Sequence, residues 1–483
     1  MTRLQKMSES DHSPLMRVLF GQSQPATVQP SDVSKKMAWI DPSLNESQKE
    51  AIKFSMASSD IALIHGPPGT GKTHTLIELI LQFLDQGKRL LVCGPSNISV
   101  DNIVERLAPH KVPMVRLGHP ARLLPGVLNH SLEILTRTSE AAELVRDIRN
   151  EMDAKQASIR KTRNGRERKV IYGEMKELRK EYRDREGKCI DDLIRGSKVV
   201  LATLHGAGGF HLKNQRFDVV IIDEASQALE AQSWVAILAS KADKVILAGD
   251  HLQLPPTIKS VNSKSAKTHG KMFKEEDGVK LETTLFDRML ALHGEDIKRM
   301  LTTQYRMHEK INAFPSEALY ESKLIAAEAV KERLLTDLPY EVEETDDTRE
   351  PLVFWDTQGG DFPERTPDED EAKSRSTLLG ESKSNHHEAA IVKMHVRNLV
   401  NAGIKPEDIA VVTPYNGQLS ILSQLLKETF KGIELGSIDG FQGREKEAVI
   451  VSLVRSNPEH EVGFLGEKRR LNGLYHQHKL LFM

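Results

Sequence analysis

The sequence predicts an α/β protein with parallel sheets, and three observations lead to this prediction. The apolar run IALI at residues 61–64 leads into a glycine-rich loop, which opens a helix at Lys72. The run VVII at 219–222 is β-branched throughout, which is typical of a strand buried on both faces of a parallel sheet. Strand and helix patterns then alternate along a chain of 483 residues, which is too long for one ordinary domain.

The alternation of strands and helices divides the chain into two predicted α/β domains, at residues 41–335 and 350–483. A mixed, polar stretch at residues 1–40 is predicted to be a connector. We therefore expect one domain to contain the glycine-rich loop and the other to follow it with a sheet of its own.

A change of composition at about residues 139–188 predicts a helical hairpin inserted into the first domain. Apolar residues recur there at helical spacing on either side of a polar turn at 161–166. Residues 143–188 hold 15 Lys/Arg against 10 Asp/Glu. This mixed charge favours a solvated antiparallel hairpin over a dedicated nucleic-acid arm.

The composition excludes several classes of protein. A hydrophobic content of 39% with 28% charged residues is typical of soluble globular proteins. The net charge of −2 gives no global basic signal, so a site for a polyanion must be a local patch. Two cysteines, Cys93 and Cys189, exclude a disulfide scaffold and fit a reducing compartment. No stretch approaches the roughly twenty apolar residues of a membrane span, and residues 1–10 lack a signal core, so we expect a protein of the cytoplasm, the nucleus or both, without a membrane partner.

The loop after the first strand matches the phosphate-binding P-loop in full, because Gly66 is followed by four residues and then by GKT at 71–73. Backbone N–H groups of such a loop make a concave anion site, and the helix that follows adds partial positive charge. Lys72 would reach the β- and γ-phosphates, and the Thr73 hydroxyl would ligate Mg²⁺. The predicted nucleotide-binding residues here are Gly66, Pro67, Pro68, Gly69, Thr70, Gly71, Lys72 and Thr73.

Two carboxylates follow the buried strand at 219–222. Asp223 would hold Mg²⁺, and Glu224 would orient or deprotonate an attacking water. The alternative is a solvated acidic loop, which is disfavoured directly after a buried strand in a chain that also has a P-loop.

Short polar residues stand at other strand ends, where open α/β sheets bind ligands. Ser96 and Asn97 follow a strand at 89–93, and they would either contact a phosphate backbone or cap the next helix. Thr203 ends another apolar run. Gln48 lies some twenty residues before the P-loop and could offer both a donor and an acceptor to an adenine edge, although a lone glutamine of this kind is usually solvated.

Four segments jointly resemble motifs of superfamily 1 helicases. They are DEAS at 223–226, GDHLQLPP at 249–256, QYRMH at 304–308 and GSIDGFQGRE at 436–445, which resemble motifs II, III, IV and V. The combination is similar to the up-frameshift-like branch of subfamily B, and within it to the family of immunoglobulin mu-binding protein 2 and DNA polymerase alpha-associated helicase A. The resemblance runs from about residue 15 to residue 472. It implies two RecA-like P-loop domains, with ATP and Mg²⁺ bound in the cleft between them.

The resemblance also implies how the nucleotide base and sugar are held. Gln48 and Tyr305 would hold and stack on adenine, and Glu445 would bind the ribose. Gly443 belongs to the same motif as Glu445 and is counted among the nucleotide-binding residues.

The implied catalytic residues are Lys72, Glu224, Gln253 and Arg306. Gln253 would sense the γ-phosphate, and Arg306 would neutralise charge on it. An arginine presented to the transferring phosphoryl group stabilises the charge that spreads over its oxygens.

The family's nucleic-acid track would include Ser96, Asn97, Thr203, Thr413 and Pro414. Such residues suit contacts to phosphate and sugar, which hold a strand without reading its sequence. The implied partner is single-stranded DNA or RNA, between which the sequence does not choose, with replication or RNA-processing proteins as candidate protein partners. We expect a monomer with the 5′ to 3′ polarity of the family.

The sequence departs from the family pattern at both ends. About forty residues precede the core, too few for the small β-barrel that the family carries there. Motif VI begins with RRLN at 469–472, but the chain continues as GLYHQHKL instead of a helix bearing an arginine finger. An arginine finger is worth on the order of 10³–10⁵ in rate. We therefore expect a truncated form, from alternative splicing or a faulty gene model, whose tail diverges at residue 473 and leaves the second domain incomplete, its sheet with an open edge.

Two functions stay open at this point. One is an ATP-dependent nucleic-acid helicase that translocates 5′ to 3′. The other is an ATP-binding but catalytically impaired form that acts as a nucleic-acid or partner-binding module.

Overall fold

The computed structural model describes residues 4, 6–27, 37–138, 140–161, 164–256, 258, 281–357, 359–365, 382–441, 445–466, 469, 472 and 478–482. The chain divides into two compact units. The first unit comprises Met1–His65, Thr73–Gly249 and Pro256–Arg299, and the second unit comprises Gly66–Lys72, Asp250–Pro255 and Met300–Met483. Both contain a parallel sheet, which confirms the predicted α/β class. The limits predicted for the two domains stay a prediction.

The first unit is built on a sheet that has seven strands in the described part of the chain. They are β1 (Ile61–His65), β2 (Leu90–Gly94), β3 (Met114–Leu117), β4 (Val199–Thr203), β5 (Val219–Ile222), β6 (Lys244–Gly249) and β7 (Lys298–Met300). The spatial order is β3-β4-β2-β5-β6-β1-β7, and the pairs from β3 to β1 are parallel. The segments that follow β1 to β6 therefore leave the sheet at one edge, where the candidate site residues of the first unit lie.

Helices cover the faces of this sheet, as expected when strands are buried on both sides. The helices described in the first unit are α1 (Pro14–Leu19), α2 (Glu46–Ala57), α3 (Lys72–Asp85), α4 (Asn97–Leu107), α5 (Leu132–Thr138), α6 (Glu140–Lys161), α7 (Gly165–Gly196), α8 (Glu230–Ser240) and α9 (Leu285–His293). The strand, loop and helix predicted around the P-loop are confirmed as β1 and α3.

Helix α1 lies inside the stretch predicted to be a connector, yet it packs into the core of the first unit. Leu19 is fully buried there. The ring of Phe20 stacks on that of Trp234 with centroids 4.8 Å apart, and the Arg288 guanidinium donates to the Leu19 carbonyl at 2.8 Å. The apolar run LMRVLF at 15–20 is thus part of the folded first unit.

The predicted helical hairpin is confirmed as α6 and α7, and α7 continues beyond the predicted limit. Its apolar seam is narrow, because only a few side chains such as Ile148 and Met175 are buried. Most other described positions on α6 and α7 are exposed, and the Lys155 ammonium pairs with the Glu174 carboxylate across the two helices at 2.5 Å. This is the solvated hairpin that its mixed charge predicts.

The second unit contains a sheet that has five strands in the described residues, and a short two-stranded pair. Their bounds are β8 (Thr303–Gln304), β9 (Ile325–Ala326), β10 (Leu352–Val353), β11 (Ile409–Thr413), β12 (Glu434–Ser437), β13 (Lys446–Val451) and β14 (His478–Phe482). The larger sheet has the order β10-β14-β13-β11-β12 with parallel pairs. The helices are α10 (Glu309–Leu319), α11 (Glu328–Lys331), α12 (Asp346–Arg349), α13 (His386–Asn401) and α14 (Asn416–Leu426).

Strand β14 bears on the expectation that the second sheet is left with an open edge by the end of the chain. Its Leu480 pairs with Ala448 of β13, and its Leu481 pairs with Leu352 of β10, so residues 478–482 occupy an interior position of the sheet. The physical reason is the continuous apolar run LLF at 480–482, which has the pattern of a short parallel strand.

The described residues bear on two exclusions that the composition suggested, a disulfide scaffold and a membrane-spanning segment. Cys93 and Cys189 are both free and buried, and burial raises the pKa of the Cys93 thiol to about 12. Among the described helices, none combines the length and the apolar character needed to cross a membrane.

A buried ion pair links strand β3 to helix α4. The Arg116 Nε donates to Asp101 Oδ1 at 2.7 Å, and both side chains are 0% exposed. The same guanidinium donates from Nη2 to the Asn97 amide oxygen at 2.9 Å and from Nη1 to the Leu117 carbonyl at 2.5 Å. The second oxygen of Asp101 accepts from the Leu124 N–H at 3.0 Å. Each group of this pair is satisfied only while the other is present.

We predict that Asp101→Asn destabilises the protein by roughly 3–5 kcal/mol, because it leaves the buried Arg116 guanidinium without a counter-charge. Thermal denaturation followed by circular dichroism measures the change. Glu46→Gln is the matched control, since it removes an ion pair to Lys49 whose Glu46 side chain is 90% exposed, and such pairs contribute little. Equal decreases of the melting temperature in the two variants would contradict a larger contribution of the buried pair to stability.

Candidate active site

The P-loop owes its shape to glycines at positions that other residues cannot fill. Gly69 and Gly71 have φ values of +74° and +73°, the left-handed region that glycine adopts without steric cost. A Cβ at Gly66 would come within 2.9 Å of the Lys72 Cβ. The loop can therefore turn its backbone inward only with this glycine pattern.

The remaining loop residues hold this turn from inside. Pro67 and Pro68 are buried, and the hydroxyl of the fully buried Thr70 donates to the Pro67 carbonyl at 2.6 Å. Helix α3 starts at Lys72, so the positive end of its dipole follows the loop directly, with Thr73 in its first turn. A cradle of backbone groups, a helix start, a lysine and a hydroxyl is a donor set that fits a magnesium-bound nucleoside triphosphate.

The segment 304–308 packs directly against the P-loop within the second unit. The Tyr305 N–H donates to the Gly69 carbonyl at 2.8 Å, and a Cβ at Gly69 would come within 2.8 Å of the Arg306 Cβ. The buried Gln304 fixes this segment, because its amide oxygen accepts from the N–H groups of Arg306 and Met307, each at 2.7 Å. Gln304 is a positioning residue that the sequence alone did not indicate.

Two predicted nucleotide contacts from separate motifs meet in the second unit. The Arg306 guanidinium pairs with the Glu445 carboxylate. The neighbouring Tyr305 is exposed. Its ring is therefore accessible to a base, as the predicted stacking on adenine requires. Gly443 lies outside the described residues, and its role stays a prediction.

The predicted γ-phosphate sensor is anchored to the residue that follows β6. The Gln253 amide nitrogen donates to Asp250 Oδ2 at 2.7 Å, and the Leu252 N–H donates to Asp250 Oδ1 at 3.1 Å. Asp250 is buried, so its carboxylate is a fixed acceptor around which this turn is built.

The two carboxylates after β5 differ in environment. Asp223 is buried, and its N–H donates to the Cys93 carbonyl at 2.8 Å. Glu224 is only partly buried and has a φ of +51°, which is uncommon for a residue other than glycine and marks a strained, constrained position. The Gln227 amide nitrogen donates to Glu224 Oε2 at 2.9 Å and so orients the carboxylate. Gln227 stands three residues after Glu224, and no sequence motif points to its role.

Gln48 is buried. It is therefore not a solvated glutamine, which was the alternative to an adenine contact. It forms a reciprocal cap at the start of α2 with Asn45. Each side-chain oxygen accepts from the other residue's N–H at 3.0 Å. The adenine contact of Gln48 stays a prediction, and its amide oxygen already has a structural role.

The strand ends predicted to contact nucleic acid lie along one edge of the first unit's sheet. Gly94 of β2 pairs with Thr203 of β4, so the residues that follow both strands are neighbours. The exposed Ser96 caps α4, since its hydroxyl accepts from the Ser99 N–H at 3.1 Å. Of the two alternatives left open for Ser96, capping is thus confirmed, and a phosphate contact stays a prediction.

Asn97 has an amide whose orientation is fixed by its partner. Its oxygen accepts from the Arg116 guanidinium, and arginine has donors only. The amide NH₂ of the partly exposed Asn97 must therefore point away from Arg116. A group that presents donors at this edge suits the acceptor oxygens of a phosphodiester.

Thr413 is the last residue of β11 in the second unit, and Pro414 follows it. Thr413 is fully buried, and its hydroxyl accepts from the Tyr415 N–H at 3.5 Å. Its side chain therefore does not reach the surface, and only Pro414 is partly exposed at this strand end. Contacts of these residues with nucleic acid stay predictions.

Comparison with known proteins places the chain in a family. Two family models, each described as an AAA domain, match residues 43–261 and 281–474. An uncharacterized ATP-dependent helicase of Methanocaldococcus jannaschii is 34% identical over 501 aligned residues, which cover 95% of this chain and 69% of that protein. The chain belongs to the superfamily 1 ATP-dependent helicases.

Eukaryotic members of this helicase family are more similar still. The DNA polymerase alpha-associated DNA helicase A of Schizosaccharomyces pombe is 51% identical, over 90% of this chain and 62% of that protein. The DNA-binding protein SMUBP-2 of Rattus norvegicus is 43% identical, over 97% of this chain and 45% of that protein. The chain thus spans about half to two thirds of the length of these curated relatives.

Two exposed apolar side chains of this helicase-family chain are close in sequence to the predicted nucleic-acid residues. Ile98 follows Asn97 and is 62% exposed, and Phe210 lies in the segment after Thr203 and is 83% exposed. Aromatic and apolar groups next to phosphate contacts are suited to packing against unpaired bases. In the sequence, Phe210 follows the glycine-rich segment GAGG at 206–209. An aromatic residue in such a segment is the signal by which the sequence could have indicated it.

We predict that Gly69→Ala lowers nucleotide affinity at least tenfold. The added methyl group would displace Arg306, whose Cβ lies 2.8 Å from the position it takes. Gly87→Ala is a matched control, because the φ of Gly87, +73°, is close to the +74° of Gly69, but no atom lies within 4 Å of an added Cβ at Gly87. Both variants should lose roughly 1–2 kcal/mol of stability through the left-handed backbone, and only Gly69→Ala should lose binding of a fluorescent ATP analogue. A similar loss of affinity in Gly87→Ala would show that backbone strain, not the contact with Arg306, is responsible.

Proposed function

We propose that the chain is an ATP-dependent nucleic-acid helicase that hydrolyses ATP with Mg²⁺ and translocates 5′ to 3′ along a single strand. The observation that carries this proposal is the packing of segment 304–308 on the P-loop, with Tyr305 N–H on the Gly69 carbonyl. That contact brings segment 304–308, which is far from the P-loop in sequence, to the phosphate-binding loop. Membership of the helicase family supports the same function.

The proposed chemistry assigns one task to each side chain. Lys72 neutralises the β- and γ-phosphates, and Thr73 and Asp223 hold Mg²⁺, which when bound neutralises charge on the phosphate oxygens. Glu224, oriented by Gln227, accepts the proton of the attacking water. Gln253 and Arg306 contact the γ-phosphate, and Arg306 must exchange its bond to Glu445 for this role. Gln48 and Tyr305 hold the adenine, Glu445 holds the ribose, and Gly443 is a further nucleotide-binding residue.

The proposed substrate is single-stranded nucleic acid that lies along the carboxyl edge of the first unit's sheet, and Thr413 and Pro414 of the second unit are further proposed contacts. The outward amide NH₂ of Asn97 and the hydroxyls of Ser96 and Thr203 would hold the phosphates and sugars. Contacts of this kind do not distinguish DNA from RNA. The names of the fungal and mammalian relatives support DNA as the strand to test first, with replication or RNA-processing proteins as candidate partners in the nucleus or cytoplasm.

A second candidate function is an ATP-binding module without turnover, and one observation favours it. Residues 473–483 contain no arginine, so the arginine that the family places in motif VI is not supplied there. ATP would then serve to hold a conformation that binds nucleic acid or a partner.

Phosphate release by the purified protein, with and without single-stranded DNA or RNA, tests the two candidates. We predict turnover that nucleic acid stimulates and that falls to background in Lys72→Ala. Glu224→Gln should bind ATP normally while turnover drops by on the order of 10²–10⁴, the usual contribution of a general base. ATP binding without turnover would overturn the motor for this chain and support the module, and the absence of ATP binding would overturn both.

We further predict that Asn97→Ala weakens binding of a labelled single-stranded oligonucleotide by about tenfold, the size of one hydrogen bond to a charged group. Asn97→Asp should weaken it more, because a carboxylate would face the phosphates. Fluorescence anisotropy measures both affinities. The controls are Asn102→Ala and Asn102→Asp, made at an exposed asparagine on the same helix. If Asn97→Asp bound better than Asn97→Ala, the amide would present an acceptor and the assigned orientation would be wrong.

A further inference from the structure

We propose that Tyr320 is a positioning residue for the γ-phosphate sensor Gln253 and links it to Asn472. This inference rests on the proposed function, since it concerns how Gln253 is held for its contact with ATP. Tyr320, Gln253 and Asn472 all belong to the second unit, and Tyr320 lies outside the sequence motifs that predict the nucleotide site.

Tyr320 and Gln253 share one carboxylate oxygen. The Tyr320 hydroxyl donates to Asp250 Oδ2 at 2.7 Å, and the Gln253 amide nitrogen donates to the same oxygen at 2.7 Å. Tyr320 is 2% exposed and Asp250 is 1% exposed. Hydrogen bonds to a buried carboxylate are short and strong, so the two donors fix each other's geometry through Asp250.

Asn472 completes the link from the other side. Its amide nitrogen donates to the Tyr320 hydroxyl at 2.9 Å and to the Leu252 carbonyl at 2.9 Å. The Tyr320 hydroxyl is therefore an acceptor from Asn472 and a donor to Asp250 at the same time. Burial, and then the Asp250 carboxylate, hold the pKa of Tyr320 well above its ordinary value, so the phenol keeps the proton that it donates.

This arrangement has a consequence for Gln253. One amide N–H is committed to Asp250, which sets the plane of the carboxamide. Its second N–H and its oxygen then point away from Asp250, which gives a donor suited to a phosphate oxygen and an acceptor suited to a water. A sensor works best when its groups are oriented before the ligand arrives, because no reorganisation is then required.

A purely structural role is the alternative, in which the Tyr320 hydroxyl only satisfies a buried carboxylate. Tyr340 offers a matched control for that alternative. Its hydroxyl donates to Asp408 Oδ2 at 2.6 Å in the same unit, and neither of these two residues belongs to a predicted nucleotide motif. Replacement of either tyrosine by phenylalanine removes the same kind of bond and keeps the ring.

The experiment compares the affinities of ATPγS and ADP for the wild-type chain, Tyr320→Phe and Tyr340→Phe, by competition with a fluorescent nucleotide. We expect Tyr320→Phe to reduce the preference for ATPγS over ADP about tenfold, with ADP affinity unchanged, since only the triphosphate meets Gln253. Tyr340→Phe should leave the preference unchanged. A wild-type chain that binds neither nucleotide would overturn the proposed function, whereas normal binding with an unchanged preference in Tyr320→Phe would overturn this inference alone.

A double-mutant cycle separates positioning from general stability. Gln253→Ala should lose the preference by itself, and Tyr320→Phe added to it should cause no further loss. Additive losses would contradict the link.

Asn472→Ala is the second variant, because it removes a donor to Tyr320 and leaves the Asp250 side chain unchanged. It should also lower the preference for ATPγS over ADP. An unchanged preference in Asn472→Ala would show that Asn472 is not part of the link.

Discussion

Parallel pairing of buried strands is the constraint on which the site of the first unit depends. Parallel strands require crossover connections, and each strand then delivers its next residues to the same edge. The pairing of Gly94 with Thr203 and of His65 with Gly249 fixes which strand ends stand side by side. Residues as far apart in sequence as Ser96 and Asp223 therefore follow strands that end at the same edge of the sheet.

Buried polar groups perform the fine positioning. Gln304, Asp250 and Arg116 are each buried and each hold neighbouring groups through two or more hydrogen bonds. A buried polar group has few alternative partners, so losing one partner costs more than it would at the surface. The candidate site residues thus include partly exposed groups, such as Asn97 and Gln253, that buried neighbours hold in one orientation.

The parts of the structure that the sequence predicts are those coded locally. The P-loop, the carboxylates after β5 and the hairpin of α6 and α7 follow from spacing and periodicity within a short window. The reciprocal cap of Asn45 and Gln48 could also have been predicted, because a capping residue followed three positions later by Gln is its known pattern. Pairings across long sequence distance, such as Tyr320 with Asp250, leave no local signal. The burial of Thr413 and the position of β14 in the sheet likewise depend on contacts between residues that are far apart in sequence.

The position of β1 in the sheet bears on how the chain is made. Its neighbours are β6 and β7, both of which lie far downstream in the sequence. During synthesis, β6 follows β1 only after roughly 180 further residues, which takes on the order of ten to forty seconds at ordinary translation rates. Until then the strand that supports the P-loop has no partner on either edge, while the hairpin of α6 and α7 can already form from local contacts. The nascent chain therefore acquires its nucleotide site late, and the exposed IALI strand is the segment that a chaperone would need to protect from association with other chains.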